Sequence, residues 1–213
     1  ALEEAGARID VVRAHLGEPL PVDASPYDAA VVLGGGQNAL DDEAYPYIPA
    51  LLALIRDFEA RDMALLGICL GSQLMARAFG GTNQIGGANE FGWQKVSLTA
   101  DAAVDPVMGA VSTSFRIFQW HDDTFGLPPG AVRLATGDTV ANQAFRVGRA
   151  AYATQFHFEA DRKLVEEWSQ AFGPWLAERQ PGWDQRRATE ADLHGPEADA
   201  AGLAIARAWA ALI

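Results

Sequence analysis

The chain has 213 residues, close to half of them apolar, which suits one sizeable domain built around one hydrophobic core. Its 16 basic and 28 acidic side chains leave a formal charge of −12, a surface that repels nucleic-acid phosphates and anionic lipid headgroups. No apolar run approaches the roughly 20 residues of a membrane span and no secretory leader is legible, so a cytoplasmic protein without membrane or nucleic-acid partners is expected. Cys69, the single cysteine, excludes an internal disulfide and a Cys-rich zinc site, and must be either a packed residue or a reactive thiol.

In chain order, "ALEEAGARIDVV" reads as the end of a helix followed by a strand over 7–12, an unusual start for an α/β domain, whose first strand is expected to be missing here. "YDAAVVLGGG" (27–36) predicts a stronger, buried parallel strand that ends in three glycines. Leu51, Leu52, Ile55 and Phe58 recur at helical spacing over 48–62, and "MALLGIC" (63–69) predicts the next strand. Strand, helix, strand is the rhythm of a doubly wound sheet.

From Asn83 the chain becomes a series of short, turn-punctuated strand candidates, ending in "AAYATQFHFEA". Helices return after Asp161, first "RKLVEEWSQAFGPWLAE" and last "ADAAGLAIARAWAALI". Between them "RQPGWDQRRATEADLHGPE" reads as a polar surface connection. The expected fold is α/β: a doubly wound, mostly parallel sheet with flanking helices, a small antiparallel β portion and a helical C-terminal extension. Residues 1–175 are expected to form the main domain, with 176–213 as an extension packed on it.

Three predicted strand ends carry chemistry, and ligands of open parallel sheets bind where such ends converge. In "GICLGSQ" (67–73), Gly67 and Gly71 flank Cys69 as a nucleophile elbow requires, and the helix that follows favours a thiolate. The bland reading, a buried cysteine filling space, carries equal weight on this stretch alone. In "QFHFE" (155–159), a strand would place His157 and Glu159 on one face and Phe156 and Phe158 on the other, so a base would lie beside its orienting carboxylate. Alone, such a pair is more often a satisfied His–Glu contact; beside a cysteine that lacks these two partners it completes a nucleophilic triad. The "GGG" of 34–36, alone only a turn signal, then supplies backbone N–H groups for an oxyanion.

These residues resemble the class I glutamine amidotransferases, the Cys-His-Glu glutaminase domains of flavodoxin-like fold. The likeness runs from about Tyr27 to Glu159, and "FQWHDDTFGLPPGA" (118–131) is most similar to the stand-alone, GMP-synthase-like members. The resemblance implies that Cys69 attacks the side-chain amide of glutamine and that His157 moves the proton while Glu159 holds its tautomer. It implies an oxyanion hole from the backbone N–H groups of Gly35 and Leu70, and a substrate pocket built by Gly34, Gly36, Gln73, Trp120 and His121. No cofactor or metal is expected, and the implied partners are glutamine or a γ-glutamyl amide and a separate synthetase chain that takes up ammonia.

The family often has His where Ser72 stands, Pro where Phe158 stands and Gly where Asp122 stands. The last departure puts a carboxylate into a loop that lines the pocket and leans weakly towards a γ-glutamyl amine conjugate as substrate. His121 and Asp123 are read as pocket-wall or loop-fixing residues, and "DDE" (41–43) as an acidic run satisfying a helix dipole. A non-catalytic regulatory module on the same scaffold would be expected to have a damaged triad. Related folds with redox-sensing or chaperone-like roles commonly place His directly after the cysteine, where this chain has Leu70.

Overall fold

The computed structural model describes all residues, Ala1–Ile213. Its strands are β1 (Ala29–Val32), β2 (Ala64–Ile68), β3 (Thr82–Gln84), β4 (Glu90–Leu98), β5 (Ser114–His121), β6 (Thr124–Gly126), β7 (Val132–Gly137), β8 (Ala144–Val147) and β9 (Ala151–Thr154). The α-helices are α1 (Ile48–Ala60), α2 (Leu70–Ala78), α3 (Arg162–Ala171), α4 (Gly173–Arg179) and α5 (Trp183–Ala210).

Every residue of β2 is buried. Its side chains alternate between two cores: Leu65 packs with Ile48, Leu52, Ile55 and Phe58 of α1, whereas Ala64, Leu66 and Ile68 join the core that contains Ile205 and Trp209 of α5. A strand covered on both faces needs apolar residues at every position, hence the unbroken "ALLGI". The result is three layers, with α1 and α2 on one face of the sheet and α3 to α5 on the other.

The main sheet has the order β1-β2-β9-β8-β7-β4-β5, and β3 and β6 form a separate antiparallel pair. Only β1, β2 and β9 run parallel to one another; the pairings from β9 through β8, β7 and β4 to β5 are all antiparallel. The sheet is therefore mixed, and its antiparallel part is larger than the sequence suggested. Short turns between the middle strands allow antiparallel pairing, whereas a parallel step demands a crossover element such as α1.

Residues 7–12 form no strand: β1 pairs only with β2, and Ile9 and Val11 stay 50% and 62% exposed. Alternating apolar residues do not make a strand without a partner for their N–H and C=O groups. The expected surface connection near the C-terminus is mostly helix, because α5 runs unbroken from Trp183 through Pro196. Gly182 begins it in a left-handed conformation (φ 80°), Trp183 anchors its first turn at 1% exposure, and Arg186–Glu190 and Arg187–Glu166 ion pairs hold the polar stretch. The acidic "DDE" does not start a helix: Asp42 makes a two-pronged ion pair with Arg77 of α2, at 2.6 and 2.7 Å, and that cation holds its carboxyl below the usual range.

Candidate active site

Cys69 occupies the turn between β2 and α2 with φ 51° and ψ −108°, a conformation that L-residues rarely adopt. The turn is tight because both flanking glycines touch backbone or core. A Cβ on Gly71 would fall 1.9 Å from the carbonyl oxygen of Val32, and one on Gly67 would fall 2.6 Å from that of Gly71. This strained connection holds Cys69, only 6% exposed, at the start of α2, where unpaired helix N–H groups gather.

His157 and Glu159 do not lie on a strand, since β9 ends at Thr154. They sit on a turn tied to β5, where the His157 N–H donates to the Phe118 carbonyl at 2.9 Å. The pairing foreseen from strand alternation is nevertheless made by the turn: His157 Nδ1 lies 2.7 Å from Glu159 Oε1. Because a carboxylate accepts, Nδ1 donates to Glu159, which leaves Nε2 as the nitrogen available for proton transfer. Burial disfavours a charged His157 ring, but the adjacent Cys69 sulfur, by charge and hydrogen bond, and the Glu159 carboxylate outweigh it and push the pKa up to about 10.

Gly34 closes the arrangement from β1's side. A Cβ there would meet His157 Cε1 at 3.0 Å and Cys69 Cβ at 3.4 Å, so glycine lets the backbone pass close to both without pushing either. Gly35 is next to Leu70, whose side chain lies 3.2 Å from the Gly35 Cβ position, while Gly36 faces open space. The N–H of Leu70 belongs to the unpaired first turn of α2.

Gln73, at 3% exposure, donates its side-chain amide to the Asp123 carbonyl at 3.2 Å and reaches Gln155 Oε1 at 3.5 Å. The Trp120 carbonyl oxygen lies 3.7 Å from Cys69 Sγ. His121 is loop-fixing: Nδ1 contacts the Asp123 carbonyl at 2.9 Å and Nε2 contacts Glu90 Oε2 at 3.1 Å, so neither ring nitrogen is free for a ligand. The Asp122 carboxylate is bound by the Asn89 side-chain amide, and its carbonyl accepts from Gly87 and Ala88 at 3.0 Å.

Two neighbours escaped the sequence reading. Gln155, completely buried, points its amide at Cys69 Sγ from 3.8 Å; its place two residues before His157 was the available signal. Trp168 of α3 packs its ring 5.2 Å from that of His157, and nothing local marks it. A cavity of about 620 Å³ between residues 14–23 and α1 contains none of these residues.

A cysteine at a positive-φ strand-to-helix turn, a His–Glu pair behind it and a glycine loop in front define the class: an α/β protein with a thiol at the elbow. The family model for glutamine amidotransferase class-I matches residues 1–167, and the chain belongs to that family. A glutamine amidotransferase-like protein of Salmonella typhimurium, YfeJ, is 30% identical over 77% of this chain and 70% of its own length. A glutamine-hydrolysing GMP synthase component of Haloarcula marismortui is 31% identical over 83% of this chain and 85% of its own. The crystal structure of a glutamine amidotransferase from Thermotoga maritima superposes with a TM-score of 0.84 at 28% identity, covering 98% of this chain and 89% of that one.

Proposed function

We propose that the protein hydrolyses the γ-amide of L-glutamine through a thioester on Cys69. The observation that carries the reading is the conjunction of the strained Cys69 turn with the 2.7 Å His157–Glu159 contact beside it. His157 takes the Cys69 thiol proton, the sulfur attacks the γ-carbonyl carbon, and the negative charge that develops on oxygen is held by the N–H groups of Gly35 and Leu70. Protonated His157 gives its proton to the departing nitrogen, the C–N bond breaks, and ammonia leaves a γ-glutamyl thioester. Water, deprotonated by His157, then attacks that thioester; glutamate leaves and the thiol is restored. Glu159 keeps Nδ1 protonated and so fixes which nitrogen works.

Gly34, Gly36, Gln73 and the main chain of the Trp120–Asp123 loop form the pocket for the rest of the substrate in this reading. Likeness to the glutamine-hydrolysing component of a GMP synthase supports a further step, delivery of the ammonia to a separate synthetase chain. The test is glutamate release from L-glutamine by the purified protein, with Cys69→Ala as control. Release that disappears in the variant supports the thioester route, whereas undiminished release from Cys69→Ala would end it.

A further inference from the structure

The aromatic rings beside His157 form a wall that ammonia has no means of using. From Trp168, 5.2 Å from the imidazole, the wall continues to Trp120 at 5.9 Å, and Trp120 in turn packs against Phe172 at 5.4 Å and Trp175 at 5.7 Å. The inner rings are half-buried, but Phe172 is 51% and Trp175 37% exposed. Arg179 places its guanidinium 5.5 Å from the Trp175 ring and so sets a positive charge at the outer end.

The direction of departure decides what this wall can hold. The group that protonates the leaving nitrogen must come within about 3 Å of it, so any substituent on that nitrogen starts next to His157 and meets Trp168 first. We infer that the Trp168–Trp120–Phe172–Trp175 wall is a leaving-group subsite, and that the preferred substrates are γ-glutamyl amides of aromatic or bulky apolar amines, including amino acids. This inference rests on the Cys69 thioester reading and gives the hydrolase its substrate class. Two exposed rings, each of about 250 Å² at most, fall well short of the roughly 800 Å² per partner of a stable protein interface, which favours a small molecule over a docked protein.

The experiment compares kcat/KM for γ-glutamylphenylalanine, γ-glutamylglycine and L-glutamine in the wild type, Phe172→Ala, Trp175→Ala and Trp175→Phe. The phenylalanine conjugate is expected to exceed the glycine conjugate by about tenfold or more, the discrimination that an apolar pocket gives. Each alanine variant should bring that ratio towards one, and Trp175→Phe should keep most of it. A wild-type ratio near one, or equal losses on both conjugates in the alanine variants, overturns the subsite while glutamine hydrolysis stands. Absence of Cys69-dependent release from all three compounds overturns the thioester reading and the subsite together.

Discussion

Gly202 of α5 lies directly on the main chain of Phe158, the residue between His157 and Glu159: a Cβ at Gly202 would come 2.1 Å from the Phe158 carbonyl oxygen. The C-terminal helix thus braces the turn that carries two members of the candidate triad. Gly202→Ala is expected to destabilise the fold by about 1–3 kcal/mol, as overpacking does, and to lower Cys69-dependent turnover by shifting the turn. Gly173→Ala, where a Cβ meets nothing within 4 Å, serves as the silent comparison. Urea unfolding and glutamate release check both; a Gly202→Ala protein equal to wild type in each would remove the brace.

That contact explains what the sequence could and could not disclose. Cys69, His157 and Glu159 could be singled out as candidates because a nucleophile elbow and a closely spaced base–carboxylate pair are local signals, although a turn and not the expected strand brings His157 and Glu159 together. The Gly202–Phe158 approach joins segments far apart in the chain, and a glycine in "ADAAGLAIARA" looks no different from one that lowers helix propensity to no purpose. Pro196 and the Gly-containing polar stretch before it argued for a loop, yet buried Trp183 and flanking ion pairs keep α5 helical. The strand expected at 7–12 fails for the opposite reason: its pattern is right, but strand formation depends on a partner that no local pattern encodes.

The Cys69 backbone predicts an order of stabilities among variants without a thiol. At φ 51° an alanine retains the steric strain of any Cβ, whereas glycine relieves it at the expense of a more disordered unfolded chain. Strain at such positions is typically about 1–3 kcal/mol, so Cys69→Gly is expected to be more stable than Cys69→Ala by roughly 1 kcal/mol. Denaturant titration of the two proteins measures this. A more stable alanine variant would mean that the turn relaxes once the thiol is gone.

His157 provides a titration test. Its pKa is raised, so the ring stays charged through neutral pH and releases its proton as pH rises through about 10. Burial alone would lower the value, and the sulfur and Glu159 supply the opposing pull. Cys69→Ala and Glu159→Gln should therefore each move the midpoint downward, which NMR of the imidazole Cε1–H resolves. A wild-type midpoint near 6.5, the ordinary value for His, would show that the sulfur and Glu159 do not hold the ring charged.

The Glu90–His121 contact carries the last prediction, because it anchors the loop on which the pocket depends. Both side chains are buried, at 5% and 1% exposure, and Glu90 Oε2 accepts from Gln143 Nε2 at 2.6 Å as well as facing His121 at 3.1 Å. The opposite ring nitrogen of His121 meets the Asp123 carbonyl, which also receives the Gln73 amide. Removing the carboxylate takes an acceptor from His121 Nε2 and from the Gln143 amide, which keeps only its 3.4 Å contact to the Val140 carbonyl, and a buried donor left unsatisfied generally costs about 1–3 kcal/mol. Glu90→Ala is expected to fall in that range, and Glu90→Gln to lose less because its amide oxygen still accepts from one donor. Where the protein remains folded, the loss should appear as a higher KM, since Gln73 and the Trp120–Asp123 loop position substrate in the proposed reaction. Near-wild-type stability in Glu90→Ala would show that water replaces the carboxylate and that the loop is held by its main-chain contacts to Gly87 and Ala88 instead.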